Sequence, residues 1–178
     1  MELKNQILET KRFVLRSFED TDLENVFKGL SDPEVIRYYG VSYETLEATK
    51  VQLQWFEAIE KDETGKWWAI CSQDNATFYG AGGINAIEKE FRKGEIGFWL
   101  LPEYWGIGIM QEVFPALCDY GFKELGLHRI EAFVETGNMK CKNAMAKVDF
   151  QHEGTLRDCE IKNEKFISLD IYSKLSGD

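Results

Sequence analysis

Between an apolar run and a helical pattern the chain reads EYWGIGIMQE over residues 103–112, with Gly106 and Gly108 one residue apart. A glycine has no Cβ, so its backbone can approach a ligand closely, and the first turn of a helix leaves N–H groups unpaired and directed outward. Set at the carboxyl end of a strand, Gly106, Ile107, Gly108, Ile109 and Met110 can aim those N–H groups at an anion, which suits the phosphates of a cofactor. The Gly-Lys-Ser/Thr ending of a P-loop is missing, and so is the third glycine of the dinucleotide fingerprint. A tight turn that uses glycine for shape alone competes with the anion-site reading. Elsewhere the reactive side chains are scattered. Cys71, Cys118, Cys141 and Cys159 contain no Cys-x-x-Cys pair and read as free thiols, and His128 and His152 lie too far apart to suggest a metal site, so no metal is expected.

The flanking elements follow from periodicity. RFVLRSF (12–18) alternates as a strand. Thr21 and Glu24 have the spacing of a capping box ahead of the helix DLENVFKGL, and Ser31-Asp32-Pro33 opens another short helical turn. A longer helix is expected from about Tyr43 to Lys61, with an apolar stripe of Leu46, Leu53, Phe56 and Ile59 and Trp55 beside it. Strand-like runs follow at 66–71 and 77–88, then EIGFWLL (95–101), apolar on nearly every residue as in a strand buried on both faces. A helix from about Gly106 to Leu125 comes next, with a kink expected at Pro115. The last third reads strand 128–136, helix 138–148, strand 150–156, a turn over Lys162-Asn163-Glu164 and strand 165–175. No repeat or linker divides the chain. The expectation is one α/β domain of the α+β kind, with a mixed, mostly antiparallel sheet, helices on both faces and at least one parallel crossover.

The run EIGFWLLPEYWGIGIMQEV, followed by a helix, a strand and Asn138, resembles the Gcn5-related N-acetyltransferase superfamily, whose acyl-CoA loop is written Gln/Arg-x-x-Gly-x-Gly/Ala. ETKRFVLRSFEDTD (9–22) and GNMKCKNAMAKVDFQHEGTLRD (137–158) are similar to the opening and to the Asn-x-x-Ser helix of the ribosomal-protein N-terminal (alanine) acetyltransferases. The resemblance covers nearly the whole chain. It implies a twisted sheet in which a parallel strand pair splays to hold acyl-CoA, with Phe98, Trp99 and Leu100 beside the pantetheine arm. It also implies the pyrophosphate on the turn at Gly106, Ile107, Gly108, Ile109 and Met110, and Asn138 bonded to the pantetheine.

Acyl transfer to an amine needs a neutral amine, donors near the thioester oxygen and a proton for the departing thiolate. By the same resemblance Glu160 is the base, and Cys141, at the family's Ser position, is the proton donor. The usual Tyr four residues further on is Met145. Three more departures stand out: Trp105 replaces Gln or Arg at the head of the loop, Ile107 occupies a site that often carries a cation, and Asp149 precedes Phe150 where Gly is usual. The first two leave phosphate binding to backbone dipoles.

Composition sets the outer limits. The 178 residues, 44% hydrophobic and 29% charged, suit one soluble domain. A formal net charge of -10 argues against nucleic-acid binding and is compatible with a cationic acceptor, although an acidic surface also serves solubility. No window approaches the roughly 20 apolar residues of a membrane span, and MELKNQILETKR lacks the apolar core of a signal peptide, so a cytoplasmic protein without a membrane partner is expected. The expected activity is acetyl-CoA-dependent acetylation of a primary amine by direct transfer. The acceptor is a protein N-terminus or a small cationic amine such as a polyamine, aminoglycoside or amino-acid-like amine, and the assembly a monomer or homodimer. A CoA-binding module without catalysis is the alternative, motivated by Met145, Cys141 and Asp149.

Overall fold

The computed structural model describes residues 6–178. In chain order the strands are β1 (Leu8–Glu9), β2 (Phe13–Arg16), β3 (Lys66–Ser72), β4 (Phe78–Glu88), β5 (Lys93–Leu100), β6 (Arg129–Glu135), β7 (Gln151–Lys162) and β8 (Lys165–Leu175). The helices are α1 (Leu23–Leu30), α2 (Pro33–Ile36) and α3 (Leu46–Lys61) between β2 and β3, α4 (Ile109–Lys123) between β5 and β6, and α5 (Met139–Lys147) between β6 and β7. All eight strands form one sheet in the order β1-β2-β3-β4-β5-β6-β8-β7. Neighbours are antiparallel except β5 and β6, which α4 joins as a parallel crossover.

Two cores sandwich the sheet, and β3 shows how alternation feeds both. Trp68 and Ile70 point to one side, where Ile109, Val113, Phe114 and Leu117 of α4 and Met145 of α5 meet them. Trp67, Ala69 and Cys71 point to the other, against Val26 and Leu30 of α1, Val35 of α2 and Phe56 of α3. The expectation of helices on both faces of a largely antiparallel sheet therefore holds. Each such side chain, fully buried, is worth about 1.5–3 kcal/mol, so the cores and not local propensity set where the helices lie.

Several boundaries differ from the sequence expectation. Thr21 does not cap α1. Asp22 sits at that position instead, and its buried carboxylate takes the Arg16 guanidinium at 2.7 and 2.9 Å and the Glu19 N–H at 2.8 Å. That pair, joining strand to helix, outcompetes the local box. Helix α3 starts at Leu46, not Tyr43, because the Thr45 hydroxyl accepts the Ala48 N–H at 3.1 Å. Its buried residues are Thr49, Gln52 and Phe56, while Leu46 and Trp55 stay exposed. Helix α4 begins at Ile109 and continues through Pro115, which lies on its exposed side. Strand β7 runs on to Lys162, well past the expected end at 156, with irregularities between His152 and Gly154 and between Leu156 and Glu160. No helix among the described residues is long and apolar enough to cross a membrane.

Candidate active site

The parallel pairing of β5 with β6 covers only Lys93, Gly94 and Glu95, opposite Arg129, Ile130 and Glu131. Beyond Glu95 the two strands part. Residues 96–100 of β5 pair with β4 alone, and Ala132 through Glu135 of β6 pair with β8 alone. The gap is the mouth of a cleft of about 1000 Å³, the upper end of the range for small-molecule sites. Its inner edge presents β5 backbone that no second strand pairs, although the Leu100 carbonyl takes the Trp105 Nε1–H at 2.9 Å. Phe98 and Leu100 line it, and the Phe98 ring meets Phe114 edge-on at 5.1 Å, which fixes the floor. Trp99 contributes backbone to the cleft, while its buried indole belongs to the opposite core. There it lies so close to α1 that a Cβ on Gly29 would stand 2.1 Å from the ring, so only glycine fits at that contact.

At the carboxyl end of β5 a short 3-10 turn (Pro102–Tyr104) leads into the glycine turn. Gly106 and Gly108 have φ of 79° and 80°, the left-handed conformation that L side chains avoid, and Gly108 is the N-cap of α4. Arg12 braces this turn from behind. Its Nη1 donates to the Ile107 carbonyl at 3.0 Å and its Nη2 to the Gly108 carbonyl at 3.2 Å. Glu112, in the first turn of α4, takes the Arg12 Nε at 2.7 Å, the Arg12 backbone N–H at 2.6 Å and the Thr10 hydroxyl at 2.7 Å. With those carbonyls held outward, the turn's N–H groups are free for an anion. Gly106, Gly108, Ile109 and Met110 line the cleft. Ile107 does not. Its side chain is 49% exposed, and its carbonyl serves the brace.

Across the cleft, Asn138 caps α5 by accepting the Cys141 N–H at 3.1 Å, which leaves its amide N–H₂ free to donate. Cys141 is half-buried on the cleft wall, and desolvation pushes its thiol up to about 12. Burial thus keeps it neutral and makes it a weak proton donor. Met145, in place of the family's Tyr, is buried against the core. Lys140 lies with its Nζ 4.4 Å from the centre of the Trp105 ring.

Glu160 reaches the other end of the cleft from β7, exposed and opposite Ile167 of β8. It shares that end with Glu95, which stands where the strands part. Burial, then the charges of Glu131 and Glu160, raise the Glu95 carboxyl above its ordinary range. Glu95 was missed in the sequence, although an acid opening an otherwise apolar buried strand is a usable signal. The segment after α2 overhangs this end. Tyr38 packs over Gly137, and the Lys162 ammonium joins the Arg37 carbonyl and Glu135, both at 2.6 Å. Tyr39 lines the cleft beside Glu95, and burial foremost, then Glu95 and Tyr43, keep its phenol neutral.

The donor set fits acyl-CoA in two respects visible here: an unpaired strand edge for an extended amide-rich arm, and a glycine turn whose outward N–H groups suit a phosphate. The profile of the acetyltransferase (GNAT) domain matches residues 12–151. The uncharacterized N-acetyltransferase YoaA of Bacillus subtilis (strain 168) is 37% identical over 94% of this chain and 95% of its own length. Among solved structures, a ribosomal-protein-S5-alanine acetyltransferase from Vibrio fischeri superposes with a TM-score of 0.84 at 21% identity, covering 98% of each chain. A spermidine N-acetyltransferase from Vibrio cholerae in complex with CoA and spermine superposes with a TM-score of 0.82 at 20% identity, covering 93% of this chain and 96% of that one. At such identities the two structures speak to the fold alone.

Proposed function

The chain belongs to the acetyltransferase (GNAT) family, and from that premise we propose that it moves an acetyl group from acetyl-CoA directly to a primary amine on a cationic acceptor, a protein N-terminus or a small polyamine-like molecule. The observation that carries this reading is the forked cleft, with a glycine turn at one end and the carboxylates Glu95 and Glu160 at the other. When bound, acetyl-CoA supplies the acyl group as a thioester open to attack by a neutral amine. The turn from Gly106 to Met110 would hold the phosphates, and the β5 edge at Phe98, Trp99 and Leu100 together with the Asn138 amide would hold the pantetheine.

The remaining tasks fall to side chains at the fork. An alkyl ammonium has a pKa near 10 and an N-terminal α-amine near 8, so each arrives mostly protonated at neutral pH and a carboxylate must take the proton. Glu160 is assigned as that base. Glu95, raised above its ordinary range by burial and by its acidic neighbours, is the second carboxylate at the fork able to take that proton. Cys141 lines the cleft wall and would stand toward the departing sulfur. At about 12 its thiol lends a hydrogen bond more readily than a proton, so the proton itself comes from water in the open cleft. Unpaired β5 N–H groups supply the donors that acyl transfer needs near the carbonyl oxygen.

Calorimetry with acetyl-CoA, joined to a thiol-release assay over N-terminal peptides and polyamines, tests the reading. Binding with thiol release on one acceptor class supports it and names the class. Binding without release on any amine leaves a coenzyme-binding module, and no binding removes the cleft as a CoA site.

A further inference from the structure

Two cations stand at the glycine end of the cleft, and their surroundings differ. The Arg12 guanidinium is committed: Nε to Glu112, and Nη1 and Nη2 to the carbonyls of Ile107 and Gly108. Its charge is balanced by that carboxylate and directed at the outer side of the turn. Lys140, in the first turn of α5, makes no ion pair among the described residues, and neither does Lys147 at the far end of that helix, whereas Lys142 is paired with Asp170 and Lys162 with Glu135. The Lys140 ammonium rests on the face of Trp105 at 4.4 Å from the ring centre. That ring is itself fixed, half-buried against both cores and donating its Nε1–H to the Leu100 carbonyl at 2.9 Å. Trp105 and Lys140 both line the cleft, next to Gly106 and Gly108.

An aromatic face holds a cation through its quadrupole without neutralising it. A carboxylate would orient the same ammonium but cancel its charge. We propose that Lys140, seated on Trp105, is the residue that engages the phosphates of CoA, and that Trp105 serves as its seat in the place where the family's loop carries Gln or Arg. This rests on the reading of the cleft as a CoA site. It replaces the expectation that phosphate binding is left to backbone dipoles alone. In a chain with a formal net charge of -10, a polyphosphate ligand meets a repulsive field, so an uncancelled cation seated beside the turn carries unusual weight.

Calorimetry of wild type, Lys140→Met, Lys140→Arg, Trp105→Leu and the double variant Lys140→Met/Trp105→Leu against CoA, 3′-dephospho-CoA and pantetheine tests the proposal. Loss of one charge-assisted contact to phosphate predicts that Lys140→Met binds CoA about tenfold more weakly at low salt. The deficit should shrink to about twofold near 0.5 M salt, where the Debye length is only a few ångströms. Lys140→Arg should restore most of the affinity, pantetheine should bind wild type and variant alike, and Trp105→Leu should add nothing further once Lys140 is gone. A deficit that survives with 3′-dephospho-CoA assigns the contact to the pyrophosphate, and one that disappears assigns it to the 3′-phosphate. Unchanged CoA affinity in Lys140→Met, or an equal loss for pantetheine, overturns the proposal while leaving the cleft a CoA site. A wild-type protein that binds neither CoA nor pantetheine overturns both.

Discussion

Where the chain turns out of β5 the cleft wall is backbone from one continuous stretch, opened by two left-handed glycines and braced by Arg12. Where β5 and β6 part, the wall is carboxylate side chains from separate strands, Glu95 on β5 and Glu160 on β7. The first end is fixed in geometry and lightly charged. The second is looser in geometry, since Glu160 is exposed, but tuned in charge, since burial and acidic neighbours raise Glu95. Substitutions at the turn should therefore act through backbone conformation, and substitutions at the fork through titration.

The sharpest way to break that contrast is Gly108→Val. A Cβ there would meet Gln111 and Arg12 at 3.4 and 3.5 Å, ordinary contacts, so crowding is not the obstacle. The obstacle is φ of 80°, which a β-branched residue tolerates only with strain of about 1–3 kcal/mol. The turn should leave that conformation and swing its N–H groups away, lowering acetyl-CoA affinity by roughly 30-fold or more while Tm falls only a few degrees. Calorimetry beside thermal melting checks both halves, and an affinity within about threefold of wild type would mean that the turn is not the phosphate site.

At the fork, Glu160→Gln should lower kcat by about 10²-fold with little change in acetyl-CoA affinity. Its pH profile tells more. A nearby negative charge raises a carboxylic acid's pKa, and Glu160 is one of the causes that raise Glu95, so removing it should shift the acid limb of kcat/KM to lower pH. Adding Glu95→Gln to that variant should abolish the limb that remains. A limb that stays in place in both variants would assign the proton to another group.

The smallest effect is expected just outside the cleft. Asp170 of β8 is buried, which opposes its charge, but hydrogen bonds from Lys142, Thr155 and His152 prevail and hold its carboxyl down at about 2. A depressed carboxyl contributes stability that is present above its unfolded pKa near 4 and is lost as pH falls toward 2. Lys142→Met should therefore cost about 1–2 kcal/mol at neutral pH, with the deficit gone near pH 2 and turnover little changed. Urea titrations at both pH values measure this, and an equal deficit at both would point to packing in place of charge.

The same contrast accounts for what could be read from residues alone. The glycine turn, β5 and α5 were legible because each is a local pattern: strand alternation, φ-permissive residues at a junction, an Asn at a helix start. The splay of β5 from β6 came only with the resemblance, and the meeting of the two acids not at all, because Glu95 on β5 and Glu160 on β7 approach each other only once β6 and β8 stand between their strands in one sheet. Lys140 carries no local mark of its own, since its seat on Trp105 depends on how α5 meets the glycine turn. Strand β7 was read short because it is exposed on nearly every residue and irregular in register, which erases the alternation that marks a half-buried strand. The box at Thr21 gives way to one displaced by two residues: the Asp22 carboxylate takes the Glu19 N–H and the Arg16 guanidinium, and cap spacing alone does not choose between the two registers.

The brace on the glycine turn carries one more consequence. Arg12 and Thr10 come from the edge of the sheet and are held there by Glu112 of the helix that follows the turn, so the turn is gripped by a part of the chain remote from it in sequence. Anion affinity is then a property of the assembled sheet and not of the loop. The segment EYWGIGIMQE cut out as a free peptide would keep its glycines and their freedom, and for that very reason would lose the shape that makes them useful.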